Sequence, residues 1–494
     1  MRQLIISSSF SYEKVAILED GKLEEFFYEN KNNQNSYLGN IYLGKVVDIL
    51  PGMQAAFIDI GLEKNAYLYI DELLSKKTIV EKNLVKEQIS NISQILKKGE
   101  EILVQVVRDP IGEKNISLTT DISLAGKCIA IIPKNKEVSV SKRIREKVEK
   151  KRLYLIGKEI MVDDCGIIFR TFSKGLNQTN LEEEYRNLVE EYKKIEKQAL
   201  YSMAPKLLKR HNSLLEMVFV DYINNNIDEI YVENSDDKKA VISFLKKYKE
   251  YNNESIKVSD TYSNLFETFN IEKQIDILNN RKVKLENGGD IVIDTTEALT
   301  VIDVNSGSFI GKNEQDETSL IINISAMEEI ARQIKLRNIS GIIIVDFIDF
   351  RKKDYTNILI AKAKQYLQND KTRTKVLGMT KLNLMEITRK RNKENFYNSM
   401  NEECYICEGN GKLPSGLQIM LKIENILKKI SSNTSSNIVY LECSSHIYRK
   451  ATTELIEEIK MLERTSCIEI HLVKNNDAAG NIIAVKKMGK KGSI

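Results

Sequence analysis

Two strand-like runs in this chain each deliver an aspartate. The first reads Leu299-Thr300-Val301-Ile302-Asp303-Val304-Asn305 and the second Ile342-Ile343-Ile344-Val345-Asp346. β-branched residues dominate both, so each predicts a buried strand with a carboxylate at its end. Asp303 and Asn305 are two residues apart, which sets both side chains on one face of an extended chain. Two carboxylates and an amide drawn together from neighbouring strands make a hard-oxygen site suited to Mg²⁺, and such a site does phosphoryl chemistry. A strand-end aspartate can also serve only as the cap of the helix that follows, so the surroundings must decide.

Other residues carry chemistry of their own. Cys404 and Cys407 sit at ligand spacing and supply half of a tetrahedral zinc site. No second CxxC exists, and His211, His446 and His471 are far away in sequence. Two readings stay open: a redox dithiol, or a four-cysteine site split across the two-fold axis of a dimer. Gly409 and Gly411 disfavour the helix a thioredoxin-type motif needs, so the shared site fits better. Phe57 and Tyr67 lie on adjacent predicted strands, with Lys45 and Lys114 nearby in sequence. Rings flanked by lysines make a stacking platform for unpaired bases, although barrel aromatics also serve as core. Arg170 and Thr171 close the run 166–171 with a guanidinium and a hydroxyl, both donors to a phosphate. Two basic clusters, 371–375 and 388–393, read either as solvated faces or as contacts to a nucleic-acid backbone.

The elements that must position these groups can be sketched from periodicity. Residues 1–35 read as a hairpin with its turn at Glu19-Asp20-Gly21-Lys22. Residues 36–118 hold five short strands between glycine turns, the pattern of a small barrel. Residues 119–214 mix strands with an amphipathic helix over 181–200, and 215–280 alternate strands with polar helices. A helix over 323–337 joins the two aspartate strands, and a crossover of that kind lays them parallel with both acids at one sheet edge. Residues 401–415 carry the cysteine knuckle and 416–494 a small α/β tail.

At 494 residues the chain should hold several domains. Its 42% hydrophobic and 29% charged residues are those of a globular protein, with no apolar run near the ~20 residues of a membrane span. The first residues lack a secretory signal, and six cysteines in so long a chain do not make a disulfide scaffold. The expected compartment is therefore a reducing cytoplasm. A net charge of only +4 means that any nucleic-acid affinity must come from local patches.

Several separate segments, in order, resemble the ribonuclease E/G family of bacterial endoribonucleases. They are residues 39–46, 51–57, 296–305, 329–333, 341–349 and 388–391. The resemblance covers nearly the whole chain and implies an α/β multidomain architecture. Its parts would be an RNase H-like subdomain (1–35 and 215–280) interrupted by an S1-type OB-fold barrel (36–118), then a 5′-sensor region (119–214). A DNase I-like catalytic subdomain (281–400), a zinc link (401–415) and a small dimerisation domain (416–494) would follow. In that scheme Asp303 and Asp346 hold Mg²⁺ while Asn305 hydrogen-bonds near the scissile phosphate. Phe57 and Tyr67 stack on bases, Lys114 contacts the backbone, and Arg170 and Thr171 grip a 5′-monophosphate. Cys404 and Cys407 share Zn²⁺ with their counterparts in a homodimer that can pair further into a tetramer.

The implied activity is Mg²⁺-dependent hydrolysis of single-stranded, A/U-rich RNA to 5′-phosphate and 3′-hydroxyl ends, serving rRNA processing and mRNA decay. Some residues depart from the family pattern. Tyr405 stands where a proline is usual, residues 172–175 differ after Arg170-Thr171, and Phe350 and Asn383 replace an expected Met and Gly. None of them is a metal ligand. The rival reading is a non-catalytic OB-fold RNA-binding or ribosome-assembly factor, which would bind RNA and leave no Mg²⁺-dependent product.

Overall fold

Alternation of apolar and polar residues builds the sheet that carries the aspartates. In the strand Leu299–Asn305, Ile302 and Val304 are buried while Val301, Asp303 and Asn305 face outward. The strand Gly341–Asp346 repeats the pattern, with Ile343 and Val345 buried and Asp346 exposed. The inward residues pack with Ile322, Met327 and Ile330 of the helix Gln315–Leu336 and Leu359 and Ala363 of the helix Lys353–Leu367. The expectation of buried strands is corrected here to strands buried on one face. Among the described residues, helices pack on one face of the sheet, and the outward face leaves Val301 36% and Ile342 50% exposed.

The structure is a computed structural model. It describes the chain apart from residues 32–35, 74–90, 111–114, 163, 212, 223–226, 248–256, 261–263, 308–314, 351, 369, 392–394, 403, 477–480 and 491–494. The described residues form two compact units, Met1–Tyr397 and Asn398–Ile494.

The aspartate sheet in the first unit has six strands. Their order is Lys282–Lys284, Asp290–Thr295, Leu299–Asn305, Gly341–Asp346, Leu384–Arg389, Thr374–Met379. Only the two aspartate strands pair in parallel; every other pairing in this sheet is antiparallel. The helix Gln315–Leu336 lies between them in sequence and starts earlier than its expected residue 323.

A second element is a closed barrel of five strands, Ile41–Leu50, Ala55–Asp59, Ala66–Tyr69, Ser117–Thr119 and Glu101–Arg108. Closure comes from the long first strand, which pairs along 45–50 with Ala55–Asp59 and along 41–45 with Glu101–Arg108. That closed form is consistent with an S1-type OB fold. Gly44 permits the tight bend, because a Cβ there would lie 2.6 Å from the Ile58 side chain. Lys206–Lys209 adds an outer strand to the barrel's first strand, a feature the sequence pattern did not suggest.

The remaining sheets frame these two. The N-terminal strands Arg2–Ser8, Tyr12–Glu19 and Lys22–Asn30 join Glu229–Val232 and Lys257–Asp260 in a five-stranded mixed sheet. Its second hairpin turns on Asp20 (φ 49°) and Gly21 (φ 79°), a left-handed pair suited to a two-residue turn. A four-stranded sheet holds Gly166–Phe169 between Val138–Val140 and Ile129–Ile132, packed with the helix Gln178–Leu200. That helix buries Leu181, Tyr185, Leu188, Tyr192 and Ile195, one stripe at helical spacing. The second unit packs the helices Gly416–Asn433, Ser445–Thr453 and Ile456–Ser466 with a three-stranded sheet, Ile438–Ser444, Glu469–Asn475 and Ile483–Gly489.

One basic cluster is partly structural. Arg389 is not an RNA contact: its guanidinium is buried and ion-paired with buried Asp370 at 2.8 Å, and it also donates to Asn338 and the Ile339 carbonyl. The strand's alternation turns residue 389 inward, whereas Lys390 stays exposed. The segment 329–333 is structural too. Arg332 is held by Glu329 and donates to the Leu23 carbonyl at 2.9 Å, tying this helix to the N-terminal sheet. Breaking a buried pair leaves an uncompensated charge, so Arg389→Ala should lower the urea-unfolding free energy by about 3–5 kcal/mol. Lys390→Ala should change it by less than about 0.5 kcal/mol.

Candidate active site

Register is what brings the acids together. Along the parallel pair, Leu299 aligns with Ile342, Val301 with Ile344 and Asp303 with Asp346. Neighbouring strands run about 4.8 Å apart, so the two carboxylates stand side by side on the uncovered face. Asn305, two residues on, donates from Nδ2 to Asp303 Oδ2 at 2.9 Å. Partial burial pushes the Asp346 carboxyl above its ordinary range, and the charges of Asp303 and Asp349 push it further. Asp349 is thus a third acid within electrostatic reach, which the sequence reading had not singled out.

The backbone around these groups is held from beneath. Asn323 is fully buried on the crossover helix and clasps Ile348, giving Nδ2 to its carbonyl at 2.8 Å and accepting its amide at 3.1 Å. This fixes the chain two residues beyond Asp346. On the other strand, Gly307 (φ +56°) lies against the Gly288–Gly289 turn, and a Cβ there would collide with the Gly288 carbonyl. Asn383, in place of the expected glycine, also has positive φ (61°), a conformation that asparagine tolerates better than most side chains.

The donor set fits a hard divalent cation. The Asp303 charge that helps to raise the Asp346 carboxyl would be relieved by a cation held by both, and carboxylate oxygens are ligands Mg²⁺ prefers. Among the described residues, no cluster of three or more His, Cys, Asp or Glu is arranged to hold a metal. The remaining coordination would fall to water and substrate oxygens, which is usual for Mg²⁺.

On the barrel, Phe57 and Tyr67 are cross-strand partners with ring centroids 5.5 Å apart, edge to face. Tyr69, two residues along, continues the row at 4.4 Å and is 47% exposed. Ala56, Ile58, Ala66 and Leu68 alternate with these rings and fill the barrel core, so the rings occupy its outer face. Tyr69 was missed in the sequence, although its i+2 spacing from Tyr67 carries the signal. Lys45 is exposed on the barrel, and Lys114 lies outside the described residues.

Arg170 and Thr171 follow the strand Gly166–Phe169, and Thr171 opens a short 3₁₀ turn. Both line a cleft of about 1720 Å³, together with Ser141, Asp221, Tyr222 and Lys371. Thr171 Oγ1 is 3.3 Å from Ser141 Oγ, and Arg170 pairs with Asp221. Crowding by protein atoms pushes Glu25 up to about 7 and Lys371 down to about 7 in the same cleft. Of the predicted groups in the first unit, the structure joins Asp303, Asn305 and Asp346 in one cluster, Phe57 and Tyr67 in a second, and Arg170 and Thr171 in a third.

In the second unit, Cys404 and Cys407 sit on a turn rather than a helix. Glu408 donates to the Cys404 carbonyl and Asn410 to the Cys407 carbonyl, with Glu408, Gly409 and Gly411 all at positive φ. The Cys404 thiol is held below its ordinary range by the amides of Cys407 and Ile406 and by the Cys407 side chain. Thiolate-stabilising amides on a tight turn suit a soft metal such as Zn²⁺, and two thiolates are half of a tetrahedral set. Tyr405, where proline was expected, is 72% exposed and leaves this turn intact.

Comparison with known proteins matches this arrangement. The model of the Ribonuclease E/G family matches residues 123–392, which include both aspartate strands. Ribonuclease G of Escherichia coli (strain K12) is 33% identical over 410 residues, covering 83% of this chain and 84% of that protein. Ribonuclease G of Haemophilus influenzae is 30% identical over 465 residues, covering 93% and 94%. Ribonuclease E of Nostoc sp. is 32% identical over 414 residues, covering 83% of this chain and 58% of the longer relative. A non-catalytic barrel protein would not account for a match centred on the α/β region that holds the acids. The chain belongs to the ribonuclease E/G family, and it is an endoribonuclease.

Proposed function

We propose that this endoribonuclease hydrolyses single-stranded, A/U-rich RNA at Mg²⁺ held by Asp303 and Asp346. It leaves 5′-phosphate and 3′-hydroxyl ends and serves rRNA processing and mRNA decay in the cytoplasm. The observation that carries this reading is the in-register pair of carboxylates on an uncovered sheet face, with Asn305 on one of them. When bound, Mg²⁺ would supply a Lewis-acid centre that offsets charge building on the phosphate and makes water a better nucleophile.

The chain's own residues do the rest. Asp303 and Asp346 hold the cation, and Asn305 keeps the Asp303 carboxylate oriented while offering its amide near the scissile phosphate. Phe57 and Tyr67 stack on unpaired bases and so select single strands, because a duplex keeps its base faces covered. Lys114 contacts the RNA backbone in this reading, a role that rests on the family resemblance alone. The aspartate sheet takes the part of a DNase I-like catalytic subdomain, the N-terminal sheet that of an RNase H-like one, and the barrel that of an S1-type clamp. Arg170 and Thr171 read the 5′-monophosphate. Cys404 and Cys407 share Zn²⁺ with the same residues of a second subunit, making the working form a homodimer that can pair into a tetramer.

Asp303→Asn keeps size and hydrogen bonding but removes a charge from the cation seat. Cleavage of a fluorescent single-stranded oligomer should fall at least about a hundredfold, while its binding in EDTA stays within about twofold of wild type. Cleavage at near wild-type rate would remove the acids from the mechanism. In the same binding assay, Phe57→Ala or Tyr67→Ala should each weaken affinity by about 1–3 kcal/mol. Cys404→Ser should release zinc and convert dimer to monomer in light scattering; a dimer that survives zinc loss would refute the shared site.

A further inference from the structure

The cleft that holds Arg170 and Thr171 is already furnished with an anion. Asp221 ends the helix Leu214–Asp221, and its Oδ1 accepts from the Arg170 guanidinium, which also donates to the Gly126 carbonyl. Lys371 donates to the backbone carbonyl of the same Asp221 and lies 3.0 Å from the centroid of the Tyr222 ring. Thr171 and Ser141 bring their hydroxyls together in the same cleft. The seat therefore brings together a guanidinium, a lysine amine and two hydroxyls, with one carboxylate placed on the guanidinium.

Carboxylate and phosphate both accept from the planar fork of an arginine; here Asp221 does so through Oδ1 from Nη2, while the Gly126 carbonyl accepts from Nη1. They cannot use the same N–H groups together, and the carboxylate repels a dianion besides. We propose that Asp221 is an internal stand-in for the 5′-phosphate, so that phosphate capture is an exchange in which Asp221 gives up Arg170. Its strength as a competitor then sets how far the enzyme prefers 5′-monophosphorylated RNA. This rests on the reading of Arg170 and Thr171 as the 5′-phosphate site.

Two features make exchange feasible. The side chains of Arg170 and Asp221 are 26% and 33% exposed, so water reaches the pair and a displaced carboxylate can be solvated. Asp221 also sits at a helix C-terminus, where a negative charge is disfavoured and Arg170 is its compensation. The contrary role, in which Asp221 merely orients Arg170 for the phosphate, predicts no gain in that preference on mutation.

Asp221→Asn separates the two roles. The amide keeps an oxygen to accept from Arg170 and so preserves orientation, but it loses the charge that competes. The test measures affinity of the full chain, in EDTA, for a 5′-monophosphorylated RNA oligomer and its 5′-hydroxyl twin. Wild type, Asp221→Asn, Arg170→Gln and the double variant are compared, with thermal melts as the folding control. The expected result is that Asp221→Asn raises the preference for the phosphorylated oligomer about fivefold through that oligomer alone. Arg170→Gln abolishes the preference with or without Asp221. If Asp221→Asn lowers or leaves the preference while Arg170→Gln abolishes it, the stand-in role is overturned and the 5′-phosphate site stands. If no protein shows a preference, or Arg170→Gln retains it, the 5′-phosphate reading fails and the stand-in role falls with it.

Discussion

Two like charges held in register across one parallel strand pair are the constraint on which the structure turns. Coulomb repulsion between carboxylates about 5 Å apart costs about 1–3 kcal/mol in the dielectric of a wet protein surface. Burying a single isoleucine side chain contributes about 1.5–3 kcal/mol. Ile302 and Ile343, buried on the opposite face of the two strands, therefore offset the repulsion. The fold can keep Asp303 beside Asp346 without a cation, while the pair remains a place where a cation is favoured. The buried Asn323 clasp and the close packing of Gly307 serve the same end, fixing the backbone on both sides of the pair.

From that centre the other parts divide the work by distance and chemistry. The barrel offers rings on its outer face because its alternation spends the inward positions on Ala56, Ile58, Ala66 and Leu68. The cleft offers hydroxyls and a guanidinium, which suit a phosphate and not a base. The cysteine turn in the second unit is the seat of the proposed zinc site, and its backbone amides stabilise the Cys404 thiolate. In the proposed reading, separate sites for cutting, gripping and end-reading on one chain would let an open, half-covered sheet act selectively, the acids holding a cation and contacts elsewhere choosing the RNA.

Much of this was legible in the residues, and the exceptions share a cause. The aspartate strands, the five barrel strands and the cysteine turn are written locally, in β-branched alternation, glycine turns and CxxC spacing. Partners distant in sequence are not. Nothing local says that Arg389 turns inward to Asp370, or that Arg170 meets Asp221 fifty-one residues later. The strand Lys206–Lys209 is only four residues long with a lysine at each end, too short for alternation to show, and it pairs with residues 41–43 of the barrel's first strand, which Ala55–Asp59 does not reach. The half-covered sheet was misread as buried for a related reason: isoleucine and valine populate both faces of these strands, and only the helices decide which face is wet.

The account stands on hydrolysis by water at the paired acids, and the origin of the new phosphate oxygen tests that most directly. Single-stranded RNA would be cleaved by the purified chain with Mg²⁺ in water enriched in oxygen-18, and the product ends read by mass spectrometry. One heavy oxygen on each new 5′-phosphate, with an unmodified 3′-hydroxyl on the other fragment, is the predicted result. A 2′,3′-cyclic phosphate on one fragment and a 5′-hydroxyl on the other would mean that the RNA's own 2′-hydroxyl made the attack and that the carboxylate pair does something else.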